Sequence, residues 1–232
     1  MRMTGVLFAA LMALAPMASA KAAEPVGESV SRPVSSAKTR KIVFDVYRQG
    51  KPFGQHEIVI AERGEEQSVA VKIGLRAGLG PITVFDYQHR CQELWRGGEL
   101  QELDCSTKRD GKDRRVTARR VGQSMRVIGP KGNVELDGSV IPSSYWNMRL
   151  LDQNRMLNSE TGEILPIAVS LIGDEVIDVG GKPTKARRYR LQSQLALDLW
   201  YDDQDQVVRV AFQARGQDID YRIAASTAAS RG

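Results

Sequence analysis

Apolar and polar residues begin to alternate at Arg40 and keep doing so almost to the end of the chain. Ile42, Phe44 and Val46 interleave with Val43, Asp45 and Tyr47. His56, Ile58 and Ile60 share a face after the breaker Gly50-Lys51-Pro52-Phe53-Gly54, and Val69, Val71, Ile73 and Leu75 alternate with Ala70, Lys72, Gly74 and Arg76. A period of two sends successive side chains to opposite faces of a strand. Runs of this kind continue to Leu136, broken by Gly97-Gly98-Glu99, Asp110-Gly111, Gly122 and Gly129-Pro130. They resume from Ile164 to Ile223 with turns at Gly173-Asp174, Gly180-Gly181-Lys182-Pro183, 202–205 and Arg215-Gly216-Gln217. Short alternating strands with glycine-bearing turns indicate an antiparallel meander. The pattern predicts an all-β fold of about eleven antiparallel strands. That many strands bury an apolar face by curving into a half-barrel, a barrel or a sandwich.

One segment departs from the alternation. Ser143 follows Pro142 and can cap a helix, Trp146 and Leu150 stand at i, i+4, and Tyr145 and Met148 at i, i+3. This spacing predicts one short helix over 143–152, of about two or three turns, covering an end or a face of a strongly curved sheet.

The ends of the chain read differently. Arg2, the apolar run from Val6 to Ala15 and the small-residue site Ala18-Ser19-Ala20 make residues 1–20 a secretory signal peptide. Residues 21–39 read as a flexible lead, 40–223 as a single β-rich domain and 224–232 as a flexible tail. No later segment approaches the length of a membrane-spanning helix. The expected location is a bacterial periplasm. The full 232-residue chain carries +5, from 33 basic and 28 acidic residues, which is too mild to indicate nucleic acid.

Export makes the two cysteines informative. Cys91 and Cys105 flank Gly97-Gly98-Glu99, and a three-residue loop centred on Gly98 sets them opposite each other. An oxidising compartment then predicts one disulfide.

Catalytic signatures are missing. There is no G-x-S-x-G, H-E-x-x-H, P-loop or G-x-G-x-x-G, and no cofactor or metal is expected. His56 and His89 fall among apolar residues and read as packed or rim histidines. Asp202, Asp203 and Asp205 lack the glycine and glutamate of a calcium loop and read as a solvated turn. The basic residues are more suggestive. Lys108, Arg109, Lys112, Arg114, Arg115, Arg119 and Arg120 cluster in one stretch, and Lys182, Lys185, Arg187, Arg188 and Arg190 in another. They are either wet strand faces or an attractor for anionic headgroups. Trp95, Trp146 and Trp200 either pack the core or line a concavity.

Five stretches carry a resemblance: Tyr145-Trp146-Asn147, Thr161-Gly162-Glu163-Ile164-Leu165-Pro166, Ala186-Arg187-Arg188-Tyr189, Leu197-Asp198-Leu199-Trp200-Tyr201-Asp202 and Phe212-Gln213-Ala214-Arg215-Gly216. Over about residues 40–223 the chain resembles a family of exported bacterial proteins known as a domain of unknown function, which brings no assigned activity. More distantly it is similar to the periplasmic lipoprotein carriers LolA and LolB, whose curved sheet wraps a helix. This shape, with the basic strands, makes the first reading a soluble periplasmic carrier for an apolar or amphipathic, lipid-like ligand. Tyr145, Trp146, Met148 and Trp200 would supply apolar contact, and Lys108, Arg114, Arg115 and Arg188 would attract a negative headgroup. The alternative is a cell-envelope structural or protein-interaction module without a small-molecule pocket. A third class, a hydrolase using His56 or His89, requires a histidine and a carboxylate to converge in a cleft. No catalytic residue is assigned.

Overall fold

The alternating runs form the strands of one antiparallel sheet in a computed structural model that describes residues 37–79 and 82–224. The signal peptide, nearly all of the lead and the tail beyond Ala224 lie outside the described residues. The first eight strands are a simple meander: β1 (Lys38–Arg48), β2 (Lys51–Arg63), β3 (Glu66–Leu79), β4 (Ile82–Arg96), β5 (Glu99–Arg109), β6 (Lys112–Val121), β7 (Ser124–Gly129) and β8 (Gly132–Asp137). β9 (Arg155–Leu157) and β10 (Ile164–Pro166) pair only with each other. A second meander follows: β11 (Ala168–Val179), β12 (Lys182–Gln192), β13 (Ala196–Tyr201), β14 (Val207–Ala214) and β15 (Gln217–Ile223). β15 pairs with β1, Phe44 opposite Ile223, so the two meanders join into a 13-stranded sheet with β8 and β11 at its edges. β1 starts at Lys38, inside the expected lead, and Ala224 is packed, its amide bonded to the carbonyl of Val43. Among the described residues no helix is long and apolar enough to cross a membrane.

The strands outnumber the expected eleven or so, although one expected break is absent. Gly173-Asp174 is not a turn: β11 runs straight through, and a register shift between Leu171 and Gly173 absorbs the extra residue as a bulge. The β4–β5 hairpin also differs from its expected form. Its turn has two residues, Gly97 and Gly98, both with positive φ, as the tightest hairpin turns require. Arg96 faces Glu99 and Trp95 faces Leu100, a register that would oppose Cys91 to residue 104. A shift between Leu94 and Trp95 adds one residue and brings Cys105 opposite Cys91, where the disulfide forms. Asp202 is buried rather than solvated, its Oδ1 accepting the backbone N–H groups of Gln204 and Gln206.

Residues 138–167 leave the sheet and cross its inner side as a strap. The reason is composition: Val140, Ile141, Trp146, Leu150, Met156, Leu157, Leu165 and Ile167 are all buried in the core with the inward residues of the sheet. The strap is not the expected helix. It contains only a 3-10 turn, Met148–Asp152, capped by Asn147 rather than Ser143. Tyr145 stands at φ 60, a left-handed conformation that interrupts any helix begun at Ser143. The Ser143 hydroxyl is engaged instead by Ser159. The strap is tied at several points. Arg149 Nη1 donates to the Gly98 carbonyl at 2.7 Å, Arg155 to that of Asp137 at 2.6 Å, and the Tyr201 hydroxyl to that of Tyr145 at 2.8 Å. Gly162 meets Gly129 so closely that a Cβ on Gly129 would lie 2.7 Å from the Thr161 carbonyl oxygen.

Candidate functional site

The strap does not fill the sheet. A cavity of about 600 Å³ remains towards the end where the β1–β2, β5–β6 and β14–β15 turns gather. Its lining grades with depth. Arg48 and Arg109, the last residues of β1 and β5, and Arg215 in the β14–β15 turn stand at the mouth. Arg48 and Arg215 make no ion pair among the described residues. Arg48 lies over the Phe53 ring at 5.9 Å and Arg109 over Phe85 at 6.0 Å. An apolar collar follows. Phe53, Leu75 and Ile219 are buried in a small cluster with Val46, separate from the main core, and Phe85, Phe212 and Ala214 pack against it. Arginine side chains over aromatic rings at the rim of a collar gain cation–π attraction and keep their charge in water.

Deeper in, the lining turns polar. His56 and His89 are both buried, and Tyr87 and Tyr221, which also pack against the collar cluster, stand between them and the rim. The strap contributes Tyr145 and a row of small polar groups, Ser143, Ser144, Asn158 and Ser159, together with Glu160. His56 is held by rings: Phe44 at 5.7 Å and Tyr221 edge-on at 5.8 Å. His89 stacks on Tyr87 at 6.3 Å, and its Nδ1 is 2.8 Å from Thr107 Oγ1. Burial holds both imidazoles well below their ordinary value, His56 at about 3, with the neighbouring His89 adding to it, and His89 at about 4. Burial likewise pushes the Tyr145 phenol up to about 12 and raises Tyr221. Tyr87 is raised by burial first and then by Glu160. At neutral pH the imidazoles are neutral and the phenols protonated. No carboxylate is hydrogen-bonded to either imidazole among the described residues. His89 lies beside the sulfurs of Cys91 and Cys105, but these are bonded to each other and offer no thiolate to a metal.

Of the residues expected to touch a ligand, only Tyr145 lines this cavity. Trp146 points away from it: its indole N–H donates to Glu93 Oε2 at 2.9 Å and its ring meets Trp95 edge-on at 5.4 Å. Met148 begins the 3-10 turn and packs on the core outside the cavity wall. Trp200 is on the sheet face opposite Leu197 and Leu199. It is buried there by guanidinium groups, Arg188 at 5.0 Å and Arg209 at 4.8 Å, and bonds Glu175 through its indole N–H.

The expected anion site does not assemble either. Arg188 is paired with Glu175 and Asp198, Arg115 with Asp104, and Arg114 shares Glu160 with Arg109. Lys108 is exposed on the β5 face opposite Arg109. Arg188 lies on β12, at the far side of the sheet from β5 and β6. The acids that neutralise these arginines come from facing strands or from the strap, which a linear charge count does not see. The functional residues missed are His56, His89, Tyr87 and Tyr221 as one group. Their inward parity was visible in the alternation. Their convergence depends on β15 pairing with β1.

Residues 44–224 match the model of one family, Domain of unknown function (DUF6134). The chain belongs to that family. The match spans the sheet from the middle of β1 onward, the strap and every residue of the cavity, so the DUF6134 domain contains the cavity. A search of curated proteins found no match. Among solved structures, the domain is similar to a beta-barrel-like protein of domain of unknown function DUF1849 from Brucella abortus. The TM-score is 0.58 and the identity 8%, covering 80% of this chain and 95% of that one. At that identity the likeness concerns the fold: a β-barrel-like DUF6134 domain.

Proposed function

We propose that this DUF6134 domain is a binding protein, and that its ligand is an apolar or amphipathic, lipid-like molecule held in the barrel mouth. One observation carries the reading. A cavity of about 600 Å³ is left between the sheet and the strap, walled by Phe53, Leu75, Phe85, Phe212 and Ile219 and floored by a few converging polar groups. This combination of apolar walls and sparse, placed polar groups is what small-molecule sites in barrel mouths share. Binding rather than catalysis is supported by the imidazoles, which contact Thr107 and aromatic rings and, among the described residues, make no hydrogen bond to Glu160, the carboxylate in the same cavity lining. The signal-like residues 1–20 and the disulfide support work in the periplasm as an exported soluble carrier. Its mature N-terminus would be Lys21, which mass measurement of the exported protein checks.

The test is filling. Ala214→Trp puts an indole among the collar residues. We expect the parent to bind N-phenyl-1-naphthylamine, a neutral apolar fluorophore, and Ala214→Trp to lose at least tenfold in affinity while keeping its thermal midpoint. Equal binding by the two proteins would refute the assignment. One observation favours the alternative, a protein-interaction module: the edge strand β11 leaves Leu171, Ile172 and Val176 exposed. Ala214→Trp leaves that edge untouched, so a partner lost with the filled cavity speaks for the carrier.

A further inference from the structure

The cavity has polar groups at both ends, and these differ in kind. At the mouth stand guanidinium groups. At the floor, just inside the collar that Tyr87 and Tyr221 pack against, these two and Tyr145 line the cavity, and their phenols make no hydrogen bond to the protein among the described residues. Tyr201 shows the contrast, since its hydroxyl is spent on the Tyr145 carbonyl at 2.8 Å. His56 adds to the unspent groups. It is 6% exposed, and its Nε2 is buried with no partner. His89 uses Nδ1 on Thr107, which leaves Nε2 as its remaining ring nitrogen. Packing alone does not require this set: neighbouring inward positions are filled by Phe44, Phe53 and Phe212, and a phenylalanine at 87 or 221 would close the same walls. A polar atom buried without a partner, as His56 Nε2 is, costs stability, and with the partly buried phenols around it the group forms a hydrogen-bonding site.

We propose that the polar end of the ligand is uncharged and lies at this floor, where Tyr87, Tyr145, Tyr221 and His56 hydrogen-bond a hydroxyl or carbonyl group. The apolar remainder runs outward through the collar to the mouth. This rests on the carrier reading above and names its ligand class, a long-chain alcohol, ketone or similar neutral-headed lipid. Charge decides the orientation. A carboxylate or phosphate carried to the floor would leave water for two imidazoles that burial keeps neutral. Arg109 and Arg114 share the one Glu160 carboxylate, so an anion at the floor would have to compete with Glu160 for them. A neutral hydroxyl or carbonyl accepts from a phenol without that penalty. Arg48 and Arg215, on the far side of the collar, are where an anionic head would bind if the ligand lay the other way round.

Displacement of N-phenyl-1-naphthylamine by three probes with comparable tails tests this on the unmodified protein: 1-dodecanol, 2-dodecanone and dodecanoate. We expect the alcohol and the ketone to bind at least tenfold more tightly than dodecanoate at pH 7.5. Combining Tyr145→Phe with Tyr221→Phe should weaken 1-dodecanol by about five- to thirtyfold, the loss of one or two hydrogen bonds. Arg48→Gln with Arg215→Gln should leave 1-dodecanol binding unchanged. Tighter binding of dodecanoate, lost in the arginine variant and kept in the tyrosine variant, would overturn the proposal while leaving the carrier reading intact. Absence of fluorophore binding to the parent would overturn both.

Discussion

Glu93 lies beneath the strap with two indole N–H groups, from Trp95 and Trp146, each 2.9 Å from the same carboxylate oxygen. Burial raises its carboxyl above the ordinary range, and the two indole bonds work against that rise. A carboxyl raised in the folded state contributes stability in full below its unfolded value, and the contribution is lost as pH rises through the folded value. Glu93→Gln keeps an acceptor for the indoles and removes the titration, so its stability should hold better than the parent's on raising pH from 4.5. Glu93→Leu leaves two buried donors unpaired and should cost about 2–4 kcal/mol. The histidines act with the opposite sign. Their folded values of about 3 and 4 are below 6.5, so their contribution is present above pH 6.5 and is lost as pH falls towards those values. His56→Phe fits between Phe44 and Tyr221 and removes one such group. Urea midpoints at pH 7 and pH 4.5 should fall less in His56→Phe than in the parent. An equal fall would mean that His56 is not held neutral.

Turns and bulges set which side chains meet, and they explain what could be read from the sequence. The β4–β5 hairpin was readable, because two glycines in a row mark a tight turn, whereas the facing of Cys91 and Cys105, expected from a three-residue loop, is set by a bulge. The bulge at Leu94/Trp95 was not readable, since it leaves no residue-type signal. The segment 143–152 misled because Trp146 and Leu150 do share a helical spacing. Tyr145 at φ 60 and the ties at Ser143, Arg149 and Arg155 answer to tertiary contacts that no local pattern carries. Trp200 was misplaced for a related reason: an aromatic reads as inward, yet two facing arginines bury it on the other face. Two element-scale outcomes follow from these contacts. Replacing both cysteines by serine opens a loop with a sequence separation of 14 and should cost about 3 kcal/mol, read as a lowered urea midpoint. Gly162→Ala places a Cβ at φ +81 and 3.1 Å from the Gly129 Cα, and should cost about 1–2 kcal/mol by pushing the strap from the β7–β8 hairpin. A Gly162→Ala thermal midpoint equal to the parent's would show that the strap is not pinned there.

Across the whole domain, the ends of the chain lie towards the middle of the sheet and its middle at the edges. β1 and β15 begin and end the sheet in sequence, yet they pair with each other and lie near its middle, while β8 and β11, either side of the strap, form its edges. The cavity depends on this arrangement. Its walls are β2, β3 and β4 on one side and β14 and β15 on the other, so His56, His89 and Tyr221 converge only once Phe44 and Ile223 are paired. Pairing residues so distant in sequence carries a large loop-closure cost before it is rewarded, which places this step late in folding. Once formed, it is protected on both sides by neighbouring strands. Terminal segments ordinarily fray first. Here amide hydrogen exchange should invert that order: 42–46 and 219–223 should exchange among the slowest, near the rate of global unfolding, and β8 and β11 among the fastest. The cavity ligand should slow exchange further in β2, β4 and β15 and leave β8 unchanged, because binding to the native state stabilises what it touches. Faster exchange of 42–46 and 219–223 than of the edge strands would mean that the sheet opens at its seam, and that ligand enters through the seam rather than through the mouth.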